Sequence, residues 1–490
     1  MFFSTRTENF ALTVNQAFPL FPPGALSDQI KNGTICNALP SIILYLSVET
    51  MGVYCWRRDM NVDQALHRFT KSVAVSTETV VDPLALNQWR TACLLSWYCF
   101  QQSPSNDEVI RIAVLTRKAY QCGLHQIDSE ENRASFGWDL VGQETLEDWR
   151  HVWWCIYALD CHASFLTATP HLVESDSIMT ALPRTQPQPG CNWNLASPKH
   201  FLTSDWGNMW RVIEEISNAG GDKTCSLHTA VSILLKEATT LRRLHNQNPR
   251  QSIRDRMSAL EDYLSAVQLA LPPNYMRQSR DILHGESDVA YHRRLLTSLK
   301  IYSSRLLLRL PFPCLLDTAE WDGRWQETLK VCYQMVAIIQ QWDIRCMPAV
   351  DPSIYFVTLS LLILLHLHSL SIAVPQPALY EQLTRRKDIV RLFLRNYAMN
   401  WSLPRYFLES YDVFAYKLTM PLCPQDIMLV MSQFHGPLHR KWLKFLSLSP
   451  PMGSCADDYQ ALAAINVIPV PAAPAAGRPR PADGFGVWTI

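Results

Sequence analysis

Glycine is scarce in this chain, with 17 residues in 490. Each glycine costs a helix roughly 1 kcal/mol relative to alanine, so a chain with few of them and many long amphipathic stretches favours helix. A surplus of positive charge is also lacking: Lys plus Arg number 44, Asp plus Glu number 44, and the formal net charge is zero. Nucleic-acid binders draw much of their affinity from neutralised phosphates and carry a basic excess. Only a local basic face could serve that purpose here. Cysteine pairs with metal-binding spacing are missing too, because none of the 14 cysteines stands in a CxxC arrangement. Cys93 and Cys99, like Cys155 and Cys161, are six apart and fall on different sides of a helix. Free, buried thiols in a reducing compartment are expected. The first 25 residues carry Arg6 and Glu8 and no apolar run of signal-peptide length, so secretion is not expected.

Motifs for chemistry are equally absent. There is no G-x-S-x-G elbow, no Walker loop and no G-x-G-x-x-G turn. No catalytic, cofactor-binding or metal-ligating residue is assigned, and an enzyme is not expected.

What is abundant is apolar material, at 48% of residues with 10% aromatic. A single core rarely grows beyond roughly 250–300 residues, so two helical lobes are the expectation. The stretch 354–374 has no Asp, Glu, Lys or Arg, and about 20 apolar residues can span a bilayer. It contains His366, His368 and several hydroxyls, however, and lacks flanking basic clusters and aromatic belts. It is read as a core helix, with no membrane partner.

Helical periodicity recurs along most of the chain. Residues 1–26 read as irregular, punctuated by Pro22-Pro23-Gly24. Helices are expected from 39 past 54, over 61–79, and over 86–102 after a break at Pro83. Ser105 and Glu108 have capping-box spacing at the head of the next helix, and Gly123 stands where a C-terminal glycine cap would. A further helix is expected over 146–167, with Thr145 and Asp148 at capping spacing. Its Trp149, Val152, Trp153, Ile156, Tyr157, Leu159 and Ala163 cover more than half the circumference, the pattern of a central, buried helix. A long loop follows over 183–190. Helices are then expected over 225–246, 253–270, 291–310, 324–342, 354–373, 378–397 and 424–433. The Pro/Ala-rich segment 447–490 is expected to be a disordered tail.

This helix pair carries a family resemblance. Ala119-Tyr120-Gln121-Cys122-Gly123-Leu124-His125 resembles the A-x-x-x-G-L-H helix end of the middle homology region in fungal binuclear zinc-cluster transcription factors. The run from Trp149 to Asp160 is similar to that family's R-R-x-W-W-x-x-Y-x-L-D helix. Ser164, Pro170, Asp176, Ile178 and Leu182-Pro183 fall in the family's subsequent order. Leu271-Pro272-Pro273 and Leu310-Pro311-Phe312 are weaker matches. The departures are Cys161, where a basic residue is usual, and Ala168-Thr169, where the family has Gly-Arg. The six-cysteine zinc module is not found in this sequence: the first two cysteines, Cys36 and Cys55, already lie too far apart to start one.

The resemblance implies an all-α fold with a regulatory domain over 27–351 and a helical continuation over 352–446. It implies a nuclear transcriptional regulator that governs a metabolic or secondary-metabolite gene cluster. Such a chain would work through a protein partner, either a complete zinc-cluster factor or the transcription machinery, or through a small-molecule effector. Autonomous specific DNA binding is not expected. The alternatives are a truncated product of a complete zinc-cluster factor and, further off, a helical enzyme.

Particular side chains have plain readings. Asp160 is expected to be a buried, hydrogen-bonded structural acid, since an unpaired one would be costly. Trp153 and Trp154 are expected in the core, with a pocket lining as the alternative. His366 and His368 point to different sides of a helix, and Gly436-Pro437 interrupts any helix that would pair His435 with His439. Arg385, Arg386, Lys387, Arg391 and Arg395 read as the solvated face of a helix backed by Ile389, Leu392 and Leu394.

Overall fold

The computed structural model describes residues 2–51 except 23, 34, 36 and 37, residues 83–183 except 103–104, and residues 199–447 except 204, 220–222, 274, 278, 282–284, 312–317, 373–376 and 420. All regular structure among them is helical. The expected helix over 61–79, most of the loop after Pro183 and the segment from 448 lie outside the described residues.

The helices are α1 (Phe2–Leu12), α2 (Val14–Ala17), α3 (Ala25–Lys31), α4 (Ala38–Met51), α5 (Pro83–Gln102), α6 (Asn106–Gln121), α7 (Gln143–Thr167), α8 (Met209–Asn218), α9 (Thr224–Gln247), α10 (Gln251–Ala270), α11 (Asp288–Arg309), α12 (Thr318–Ile339), α13 (Pro352–Ser371), α14 (Pro377–Ala398), α15 (Ser402–Lys417), α16 (Pro424–Gln433) and α17 (Arg440–Ser447). Buried apolar side chains from Phe10 to Phe445 form one continuous cluster. The described residues therefore share one contiguous core.

The N-terminal segment differs from its irregular reading. Residues 1–26 hold α1, α2 and the start of α3. Asn15 exchanges two 2.9 Å hydrogen bonds with the Phe21 backbone, which closes the chain around Pro19 and brings Phe18 and Phe21 into the core. Pro22 and Gly24 lie between helices rather than in irregular chain, and Gly24 takes a left-handed conformation at the head of α3.

The family-like helix pair forms as its sequence dictates. The Ser105 hydroxyl accepts the Glu108 amide at the head of α6. Gly123 closes α6 with φ of 68°, a conformation an L side chain resists, and any Cβ there would also strike the Phe136 ring. Helix α7 starts earlier than expected, at Gln143 after Gly142. Thr145 and Asp148 thus lie inside the helix. Asp148 does not cap it but pairs with Arg90 of α5 at 2.6 Å. Pro83 likewise opens α5 instead of ending a pattern, because the first helical position needs no amide donor.

Helix α7 packs against α5, α6, α9 and α13. Leu146, Val152, Trp153, Ile156, Leu159 and Leu166 are all fully buried. Helix α13 satisfies the length and hydropathy of a membrane span, yet 78% of its most apolar window is buried within the protein. Asp351 caps it by accepting the Ser353 amide at 2.8 Å, with Pro352 in the first turn. Helices α8, α15 and α17 were not foreseen from periodicity.

Candidate functional site

Two helices that bury polar side chains define the site. Most of the hydroxyls on the buried side of α11 bond back to their own helix: Thr297 to the Arg293 carbonyl, Ser303 to Leu299 and Ser304 to Lys300. Lys300 instead crosses to its neighbours. Its ammonium lies 2.5 Å from Asp351 Oδ2 and donates to Ser232 Oγ of α9 at 2.8 Å, with His228 Nε2 at 3.1 Å. The other oxygen of Asp351 lies 2.7 Å from His162 Nε2 on α7. Asp351, Lys300 and His162 are all buried, so one carboxylate joins α7, α11 and the head of α13.

Burial alone would raise the Asp351 carboxyl. His162 and Lys300 outweigh that and hold it well below the usual carboxylate range. Burial, reinforced by Lys300, pushes the His228 imidazole well below its ordinary value, so that ring is neutral.

These groups line a cavity with about 750 Å³ of atom-free space, part of it open to solvent. Helix α7 supplies one wall through Trp154, Tyr157, Ala158, Cys161, His162 and Phe165, and α9 supplies another through His228, Ser232, Leu235 and Lys236. The unforeseen N-terminal turn closes a third side with Ala17, Phe18 and Pro19. His151 of α7 fixes it there, its Nδ1 lying 2.7 Å from the Pro19 carbonyl. Mostly apolar walls with a few placed polar groups are the usual form of a small-molecule site.

Lys236 stands apart from Lys300. Its ammonium donates to the Val173 carbonyl at 2.6 Å and to Ser175 Oγ at 3.0 Å, and it lies 4.9 Å from the centre of the Tyr157 ring. His171 lines the same cavity, and its two ring nitrogens are buried without hydrogen-bond partners. Burial lowers this imidazole to about 3, helped by Lys236 and Arg243. His162 Nδ1 and Ser353 Oγ are also buried on the lining without partners.

The residues singled out from sequence are placed as follows. Asp160 is a buried acid that accepts the amides of Leu172 and Val173 at 3.0 and 3.1 Å. Burial raises its carboxyl against those bonds. Ser164 reaches the Pro170 carbonyl at 3.3 Å, so these positions of the family-like series fold into one turn after α7. The two tryptophans separate. Trp153 is fully buried against Tyr120 and His125, whereas Trp154 lines the cavity and donates to the Ala181 carbonyl at 2.8 Å.

The remaining candidates lie elsewhere. His366 engages the Leu418 carbonyl and His368 packs on Trp325. His435 and His439 stack at 4.7 Å around Gly436, whose backbone sits against the Leu166 carbonyl. Among the described residues no three His, Cys, Asp or Glu side chains gather as a metal site. Nine described cysteines are free thiols. Burial pushes the Cys161 thiol on the cavity wall up to about 12. The basic run on α14 is broken up: Arg386 lies over the Tyr333 ring, Lys387 is half-buried, and Arg391 pairs with Asp412 at 2.7 Å.

Sequence reasoning missed Lys236, Lys300, Asp351, His162, His171 and His228. Local pattern gave no signal for Lys236, which lies on the opposite side of α9 from the apolar stripe of Leu227, Val231, Leu234, Ala238 and Leu241. A second cavity, of about 690 Å³, lies beyond Phe165, which borders both. Comparison of the chain with protein-family models, curated proteins and solved structures finds no match.

Proposed function

We propose that this chain is a ligand-responsive transcriptional regulator of the fungal transcription-factor-domain kind, a nuclear protein acting through a protein partner. The observation that carries the reading is the origin of the cavity wall. The helix that resembles the family's R-R-x-W-W-x-x-Y-x-L-D segment is the one whose Trp154, Tyr157, Ala158 and His162 face the cavity. The same helix packs against α5, α6, α9 and α13. A ligand seated on it would bear on the packing of the whole body, and its differential affinity for two arrangements is what a regulatory response requires.

The test is to tether the full chain to an unrelated DNA-binding domain upstream of a reporter in a fungal host. Reporter output should differ from that of the DNA-binding domain alone, and Ala158→Phe, which fills the cavity, should alter the difference. A soluble, well-expressed fusion with unchanged output would remove the regulatory reading.

An enzymatic reading has one feature in its favour. Asp351 orients His162 through Nε2 and leaves Nδ1 on the cavity lining, as a general base would be held. A covalent mechanism also needs a nucleophile within hydrogen-bond reach of that imidazole. Among the described residues none bonds to Nδ1, so this reading ranks second.

A further inference from the structure

We infer that the cavity between α7, α9 and α11 takes a small organic monocarboxylate with an aromatic or aliphatic body, its carboxylate held by Lys236 and His171. This rests on the reading of the cavity as a ligand site and adds the chemical class.

The argument is one of unmatched charge. Two lysines and one aspartate line the cavity. That aspartate is already committed, to Lys300 through one oxygen and to His162 through the other. Lys300 is saturated by Asp351, Ser232 and His228. Lys236 is not. Two of its three N–H groups go to Val173 and Ser175, and no carboxylate among the described residues lies within 4.0 Å. Asp160 feels the charge of Lys236 without contacting it, being bonded to the Leu172 and Val173 amides. A buried ammonium is costly without a hydrogen-bonded counter-charge, and this one keeps an N–H to give.

His171 adds the second donor. It is a neutral ring with both nitrogens buried and unpartnered, and Nδ1 stops 3.9 Å short of Asp160. A neutral imidazole has one N–H to donate. The half-buried Arg243 adds positive potential on the same side, acting on His171 together with Lys236. An ammonium-bearing ligand would meet repulsion here and find no uncommitted acid. A phosphate dianion would ask for more donors than one ammonium N–H and one imidazole N–H. A single carboxylate matches both in number. The remaining wall of Phe18, Trp154, Tyr157, Phe165 and Leu235 suits an apolar body.

The experiment is calorimetric titration of the full chain with phenylacetate and octanoate and, separately, with their primary amides, which keep shape and lose charge. At least one acid should bind, with its amide weaker by about tenfold or more, the usual loss of a charged hydrogen bond. Lys236→Met should abolish the preference, and Lys236→Arg should retain most of it. Ala158→Phe should block acid and amide alike. Equal binding of acid and amide to the unaltered protein, blocked by Ala158→Phe, would overturn the ligand class and leave the cavity reading standing. Absence of binding by all four probes, or binding indifferent to Ala158→Phe, would overturn both. The acid-against-amide comparison needs no substitution, so a variant that fails to fold leaves it intact.

Discussion

Asp351 Oδ1 lies 2.7 Å from His162 Nε2, which fastens the C-terminal part of α7 to the cap of α13. The same carboxylate meets Lys300 at 2.5 Å, and both side chains of that pair are 3% exposed. Removing one member of a buried pair leaves the other charge without compensation, at a cost of about 3–5 kcal/mol. Asp351→Leu and Lys300→Met should each destabilise the protein on that scale. The double variant should lose much less than the sum, because both charges leave together. Urea denaturation of the three variants measures this. Additive losses would mean that the two groups do not act as a pair.

Stability should fall as the medium is acidified, in two windows. The first belongs to buried imidazoles. Burial lowers His125 and His435 to about 4 and His171 to about 3, and it lowers His228 well below its ordinary value. Unfolded histidine titrates near 6.5, so the unfolded chain takes up protons that the fold refuses. The stability these groups contribute is whole above about pH 6.5 and is lost as pH falls toward their folded values. The second window belongs to Asp351, whose folded value lies below the ordinary carboxylate value of about 4; its contribution is whole above that pH and lost below it. The urea midpoint should therefore drop between pH 7 and 5 and drop again under pH 4. A flat midpoint across the first interval would show that these rings are hydrated.

Trp153→Ala should cost about 3–5 kcal/mol, the range for deleting a large core aromatic. The side chain is fully buried, with Tyr120 edge-on at 5.8 Å and His125 at 6.1 Å. Trp154→Phe should cost less, about 1–3 kcal/mol, since the change keeps most of the apolar surface beside the cavity and loses the hydrogen bond to the Ala181 carbonyl. Thermal melts of the two proteins check the contrast. Equal losses would place both rings in the same packing environment.

How far the sequence was legible depends on the range of the contacts. Helices with a strong 3.6-residue stripe and a cap could be read directly, as in α6 between Ser105 and Gly123. Asp160 could be read as a buried structural acid because the burial of its helix follows from local pattern alone. The N-terminal helices could not, since Pro22-Pro23-Gly24 reads equally well as a turn between helices or as open chain. What decides is the Asn15–Phe21 exchange together with His151 from α7. The cavity was invisible for the same reason. His162 and Asp351 are 189 positions apart and meet only through packing. Lys236 left no local mark, because it lies on the far side of α9 from the apolar stripe, where a lysine reads as one that reaches solvent.

The last prediction concerns DNA. This chain by itself should show no sequence-specific duplex binding at physiological salt. Specificity requires side chains that reach base edges in a groove, and the basic run on α14 does not offer a row of them. Of its five cations, Arg386 is laid over Tyr333, Lys387 is half-buried with its ammonium lowered by burial, and Arg391 is paired with Asp412. Arg385 and Arg395 alone remain exposed without a carboxylate within 4.0 Å. Two such charges neutralise few phosphates, so α14 should contribute no more than about −2 to the logarithmic salt slope of any non-specific binding. Titrating the chain into fluorescent genomic duplexes at low and physiological salt, with and without competitor DNA, measures both quantities. A steep slope would reveal a larger basic face than α14 provides. Tight binding to one fragment that survives competitor would show a base-reading element and overturn the prediction that this chain reaches promoters only through a partner.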